Sequence, residues 1–522
     1  MYYLLLALLF TAASSFAGLK LDLIGVYHTG VYGQSAAEIS AYDAATQRLF
    51  FTNANIGEVE ILDLHDPAHP LKIGRIQAEP YGAEINSIAI HNSLVAVAIE
   101  PRPKTDSGTV AFFDTGGGYI HHLPVGALPD MLAFTPDGRY ILTCNEGEPN
   151  DDYSIDPEGG ISVIDISQGI KHAVVATASF TKFNSQEADL REQGVLIYGP
   201  NASVAQDIEP EYLAISSDSK TAFVTLQENN ALAIVDIPSA SIKSIVPLGF
   251  KNFSTPGNGF DPSDEDGGIH INNWPVFGIY SPDAIGAYEF EGKTYLVMAN
   301  EGDSRDYEGF SESVRLRKAL PLDSIAFPHA SELLKEDALG RLFISSHLGD
   351  ADHDGDLDAI YAFGGRSFSI RDSAGLLIFD SGDEFERGLA GLLPAQFNAD
   401  HEISQSFDNR SDNKGCEPEG LTLGKINNRI YAFIGLERTG GVMVYDITDP
   451  RAASFVTYKT SRNFNHVLPN EPTRADMEAV VELGPEGLLF IPASESPTHF
   501  PLLVVCNEVS GSVTIYSIQA TE

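Results

Sequence analysis

One pattern limits the fold of this chain more than any other: three short apolar strands, the first opened by an acid, recur seven times. The third strands are read in EILDL at Asp63, AFFDT at Asp114, SVIDI at Asp165, AIVDI at Asp236, LLIFD at Asp380 and MVYDI at Asp446, with TIYSI near Tyr516 as a seventh that lacks the aspartate. A second strand precedes each: RLFFTN, LVAVAIE, YILTCNE, AFVTLQE, YLVMANE, IYAFIGLE and LLVVCNE. The acids that open the first strands are Glu38, Glu84, Asp130, Glu211, Asp283, Glu419 and Glu478. A single unit of this kind cannot bury its own apolar faces, so neighbouring units must cover one another.

Fourth strands follow in LKIGRIQ, IHHLPVG, IKSIVPLGF and SFVTYKT. The seventh unit runs out of chain, and the unassigned strand LKLDLIGVY (19–27) supplies what it lacks. The expected architecture is therefore all-β: a seven-bladed β-propeller over residues 18–522, a single domain whose ring the N-terminal strand closes. Such closure removes the unpaired strand edges that would otherwise template aggregation. Three insertions interrupt the spacing. SQEADLREQG reads as a short helix within 176–208, residues 250–280 as loop, and FSESVRLRKALP and SELLKEDALGRL as polar helices in the fifth unit.

The start, MYYLLLALLFTAASSFA (1–17), reads as a secretory signal: its apolar run is too short to span a bilayer and Ser15-Phe16-Ala17 offers a cleavage site. An exported protein, periplasmic or secreted, without a membrane anchor and monomeric, is the expectation. The three cysteines, Cys144, Cys416 and Cys506, are too few and oddly numbered for a disulfide framework and read as packing residues. A formal net charge of −41 repels nucleic acid and attracts cations or basic partners.

In a propeller the loop entering the inner strand and the loop leaving the second strand emerge on one face, and here both are acidic. The second set comprises Glu100, Asn145-Glu146, Gln227-Glu228, Asn300-Glu301, Glu437 and Asn507-Glu508. NEGEPNDDY (145–153) and NEGDSRDY (300–307) extend two of these loops with oxygen ligands and an aromatic residue, and bring in Asp303 and Arg305. Converging carboxylates raise one another's pKa unless cations compensate. The expected ligand of this face is accordingly cationic or metal-bridged. Strand-end acids that merely hydrogen-bond loop amides are the structural alternative.

The sharpest metal pattern is GDADHDGDLDAIY, in which Asp350, Asp352, Asp354, Asp356 and Asp358 surround Gly355. Alternating aspartates with a turn-permitting glycine suit calcium, although no glutamate closes the loop as in an EF-hand. DPSDEDGG, with Asp261, Asp264 and Asp266, is a weaker version. No G-x-S-x-G, H-E-x-x-H or P-loop occurs.

The stretches IEPEYLAIS with FVTLQENNALAIVDI, PDAIGAYEFEGKTYLVMANEGDSRDY, FGGRSFSIRD, KGCEPEGLTLG with YAFIGLERTGGVMVYDI, and LLVVCNEVSGSVTIY closely resemble the choice-of-anchor I proteins. These are exported bacterial propeller domains similar to the mesenchyme-specific cell-surface glycoprotein group. The resemblance implies a propeller, export and attachment through variable C-terminal anchors. It implies no settled activity, and phosphatase-like relatives keep a second reading open. The primary expectation is a calcium-binding surface-interaction module. The alternative is a calcium-dependent phosphoesterase in which Arg305, Arg366 or Arg438 orients the ester.

Overall fold

A computed structural model describes residues 18–469 and 471–521; the signal-peptide reading of 1–17 lies outside them. The repeated strands fold into four-stranded antiparallel sheets, seven among the described residues, each built from consecutive chain except where noted below. The first runs Ser40–Asp43, Arg48–Asn53, Glu58–Asp63 and Leu71–Gln77. The second, third and fourth open with Glu84–His91, Pro129–Phe134 and Pro210–Ile215. The fifth, sixth and seventh open with Ile285–Phe290, Pro418–Ile426 and Pro485–Ile491.

The opening strands touch in series, and Pro485–Ile491 touches both Pro418–Ile426 and Ser40–Asp43. The N-terminal strand Leu19–His28 pairs antiparallel with Ser512–Ala520, Leu21 opposite Ile518. Second and third strands are buried on both faces, which is why they read as unbroken apolar runs rather than alternating ones; Tyr140–Asn145 is buried at every position. Fourth strands are less buried: in Leu71–Gln77 only Ile76 is fully buried. Cys144, Cys416 and Cys506 are buried, unpaired packing residues.

The opening strands approach one another closely enough to exclude side chains from one register position. A Cβ on Gly420 would lie 1.7 Å from the Glu486 carbonyl oxygen, and one on Gly487 would lie 2.1 Å from that of Glu38. This spacing sets the carboxylates just before these glycines, Glu419 and Glu486, side by side on the same face.

Three readings of the sequence need correction. In the fifth sheet the third strand is Ser367–Asp372, closed by Asp372, and the strand ending at Asp380 is the fourth. The long insertion had pushed both strands away from their expected spacing. Residues 250–280 are not all loop: Phe250–Asn252 and Phe277–Ile279 join Ser313–Arg315, Phe343–Ser345 and Tyr361–Phe363 in a five-stranded sheet. The two helices expected of the fifth unit shrink to single turns at Leu316–Lys318 and Ala330–Leu333. Phe253, Phe260, Leu316, Leu339, Leu342 and Leu357 form a separate small core there, and packing into it overrides helical propensity. The helix expected in SQEADLREQG is present as Glu187–Gln193, stopped by Gly194 at φ +101°.

Candidate functional site

An acid at or just before each opening strand, preceded by Pro in five units and by Ala at Glu38 and Glu84, places a carboxylate at the mouth of the inner strand. Glu38, Glu84, Asp130, Glu211, Asp283 and Glu486 line one cavity of about 600 Å³, with Glu100, Glu148 and Tyr212 completing its acidic wall. The seventh member of the ring is Glu486, not Glu478. Glu478 sits on the helix Arg474–Val480, exposed and paired with Arg474 at 2.9 Å, because the segment before the last inner strand is helical. The repeated tripeptide Pro-Glu-Gly at 418–420 and 485–487 was the signal that identifies Glu486.

Burial raises these carboxyls, and mutual repulsion adds to it. Glu38 is pushed up to about 8 by desolvation and Glu508, and Asp130 to about 7 by desolvation, Glu148 and Glu100. Glu146, Glu211, Asp283, Glu419, Glu437 and Glu486 are also driven well above the ordinary carboxylate range, by burial first and neighbouring acids second. Ligand oxygens of Asp130, Glu146 and Glu211 lie within 4.8 Å of one another, as do those of Glu301, Glu419 and Glu437.

The two groups differ in their surroundings. Glu301 binds Lys414 at 2.5 Å and accepts from Gln227 at 2.7 Å, and Glu437 lies 3.2 Å from Arg438. Asp130, Glu146 and Glu211 have no ion-pair partner among the described residues. Glu146 is only 7% exposed, so its uncompensated carboxylate is unusual.

Several expected site residues turn out to have framework roles. Asn145 donates to the Gly160 carbonyl at 2.9 Å and Ser162 at 3.1 Å, tying second strand to third, and Asn300 bridges to Ser367 and Ser369 in the same way. In each Asn-Glu pair the amide therefore belongs to the sheet and only the glutamate to the face. Arg305 is 2% exposed and shared among Asp207, Glu209 and Glu312 at 3.3–3.4 Å. Arg366 is equally buried and spent on Glu386 and on the Asp261, Ser411 and Asn413 carbonyls. Both guanidiniums are thus held by protein partners, although Arg305 borders a neighbouring cavity.

Next to the acidic cavity, and sharing Glu148 with it, is a second cavity of about 490 Å³ lined by Glu228, Asp303, Tyr307, Arg410, Lys414 and Arg438 among others. Arg410, Lys414 and Arg438 converge on Glu417, which is fully buried. Burial alone would raise the Glu417 carboxyl, but Lys414, Arg410 and Arg438 hold it below the usual range. His401 stands between Glu437 and Arg438; burial and the Arg438 charge push its imidazole down to about 3, so it is neutral at physiological pH. Arg410 and His401 carry no motif in the sequence, and Lys414 opens the stretch KGCEPEGLTLG without any sign of its ionic partners; only the fold brings the three together here. In the two Glu-Pro-Glu tripeptides the first glutamate, Glu209 or Glu417, pairs with arginine, while the second joins an acid group: Glu211 the one with Asp130 and Glu146, Glu419 the one with Glu301 and Glu437. Glu228 carries a buried oxygen without a partner, and Glu508 lies near His401 and Glu437.

The Asp350–Asp358 loop is separate from this face. It is tied to the insertion by backbone hydrogen bonds between Leu357 and Pro321 and between Asp323 and Leu357. Gly355 turns it at φ +98°, Asp350 accepts from the amides of Asp354 and Gly355, and Asp358 accepts from Ala351 at 2.9 Å. The Asp356 carboxyl is raised by desolvation and then by the charges of Asp354, Asp323, Asp358 and Asp352. Asp264 of the weaker pattern is instead clamped by Arg341 at 2.8 Å, and Asp408 joins Asp261 and Asp266 in its place.

No helix among the described residues is long and apolar enough to cross a membrane. The chain is 29% identical over 197 residues to gigasin-3a of Magallana gigas, covering 36% of this chain and 68% of that protein. It is 26% identical over 322 residues to the mesenchyme-specific cell surface glycoprotein of Strongylocentrotus purpuratus, covering 52% of this chain and only 40% of that longer protein. Superposition on the β-propeller domain of Cps50 (Swd1) from Myceliophteria thermophila gives a TM-score of 0.47 at 10% identity, covering 96% of this chain and 100% of that one. Residues 38–450 match the choice-of-anchor I domain, and the chain belongs to that family.

Proposed function

We propose that this chain is an exported, calcium-binding surface-interaction module. Its seven four-stranded sheets are the blades of a closed propeller, completed by the N-terminal strand, and the carboxylate-lined face takes calcium and through it an extracellular ligand. The Asp350–Asp358 loop holds a second, structural calcium. One observation carries the reading: Asp130, Glu146 and Glu211 converge within 4.8 Å, and none of them has an ion-pair partner among the described residues. Oxygen-only donors in a buried, multidentate group suit calcium better than a softer metal.

Calorimetric titration of calcium into chelator-treated protein tests this. Saturable binding that falls about tenfold or more in Glu211→Gln is expected, since a charged ligand is lost from the ion. Absence of binding to the native chain refutes it. A calcium-dependent phosphoesterase remains the alternative. The same preparation, assayed on a panel of phosphomonoesters and diesters with calcium, separates the two: a pure binding module turns none over.

A further inference from the structure

The two cavities share Glu148 but have opposite chemistry. The wall of the 600 Å³ cavity contains no lysine, arginine or histidine, so by itself it repels every anion. The Asp130–Glu146–Glu211 group supplies three carboxylates, whereas calcium takes about six to eight oxygens. An ion held by one oxygen from each keeps coordination positions open, and Asp130 and Glu211 place it at the cavity wall.

The adjoining 490 Å³ cavity presents basic groups. Their availability differs. Lys414 directs its ammonium to Glu301, Asp303 and Glu417. Arg438 is engaged by Glu417, Glu437 and His401. Arg410 binds Glu417 through Nε at 3.1 Å and Nη2 at 2.5 Å, and its Nη1 has no partner among the described residues. Its side chain is 18% exposed, and it lines the cavity with free donor hydrogens. Because Glu417 is buried and ionised, it fixes the guanidinium plane and leaves the remaining edge for a ligand.

We propose that the two cavities form one oxyanion site: calcium on Asp130, Glu146 and Glu211 binds one end of an anionic ligand, and Arg410 receives the other. The ligand class is a phosphate- or carboxylate-bearing molecule, held by the ion rather than by the acidic wall. This rests on the calcium reading above and adds the chemistry of what the calcium recruits. Glu417 is a positioning residue for Arg410.

The test is calorimetric titration of inorganic phosphate, and separately of acetate, into the full chain with saturating calcium and with chelator, below the solubility limit of calcium phosphate. Binding of either anion only in calcium is expected. Phosphate alone identifies a phosphate-type ligand, and acetate binding a carboxylate-type one. Arg410→Gln should weaken anion binding about tenfold, the worth of a charge-assisted hydrogen bond, with calcium affinity unchanged. Should Arg410→Gln fail to fold, Arg410→Lys keeps a cation beside Glu417 but loses the planar fork, and anion affinity should still fall. Anion binding that persists in chelator, parental affinity in the folded Arg410 variant, or no binding of either anion to calcium-loaded protein overturns the proposal. Loss of calcium binding itself would instead refute the reading it rests on.

Discussion

At the residue scale the face is a problem of uncompensated charge. Each buried carboxylate without a cation is held at a cost, and only an ion or protons relieve it. Glu486→Gln removes one such charge and should stabilise the calcium-free protein at pH 8 by roughly 1–2 kcal/mol. Glu478→Gln loses only an exposed pair with Arg474, worth about 0.3–0.5 kcal/mol in the opposite direction. Urea unfolding of the two variants side by side measures this, and the same sign for both would return Glu478 to the ring. The sequence placed an acid before every inner strand correctly except this last one. There, Glu478 and Glu486 both precede apolar runs, and the helix that carries Glu478 off is set by the Thr473 cap, whose hydroxyl accepts from the Asp476 amide.

At the scale of elements, the N-terminal strand and the aspartate loop each have a definite part to test. Leu21 is 5% exposed and packs with Tyr516, Ile518 and Tyr431, so this strand joins the first residues of the described chain to its last sheet. Leu21→Ala should cost about 2–5 kcal/mol, as for other buried leucines. Deleting residues 19–28 should expose the Ser512–Ala520 edge and produce higher-order species in size-exclusion chromatography, whereas a monomer of parental stability would show that the strand is dispensable. The aspartate loop is tied to the insertion through Leu357. Replacing Asp352 and Asp354 with Ala should lower the melting temperature in calcium and leave it nearly unchanged in chelator. Equal losses in both conditions would make these side chains purely structural.

Across the whole molecule, the acids couple stability to pH. Glu38 and Glu228 are raised to about 8 and Asp130 to about 7, chiefly by burial, while the unfolded chain titrates near the ordinary values. Between those limits the folded state binds more protons than the unfolded one, so raising the pH removes stability. The chelated protein should therefore melt higher at pH 6 than at pH 8. Calcium should compensate the ionised carboxylates, so the gain in melting temperature on adding it should be larger at pH 8. A calcium effect that is the same at both pH values would separate the ion from these carboxyls.

The sequence by itself determined the all-β repeat, most of the acidic ring and the short helix Glu187–Gln193, because each rests on local spacing: apolar runs, an acid before a strand, a glycine after a helix. It could not determine the contents of the insertions, where a small core around Phe260 and Leu342 decides which segments become strands. Nor could it separate framework polar groups from free ones. Asn145, Arg305 and Arg366 look like ligands in the sequence and are consumed by hydrogen bonds in the fold. Arg410, Lys414 and His401 look ordinary and stand beside the acidic face. Charge compensation is settled by neighbours far apart in the chain, as between Lys414 and Glu301, and only the tertiary structure brings those neighbours together.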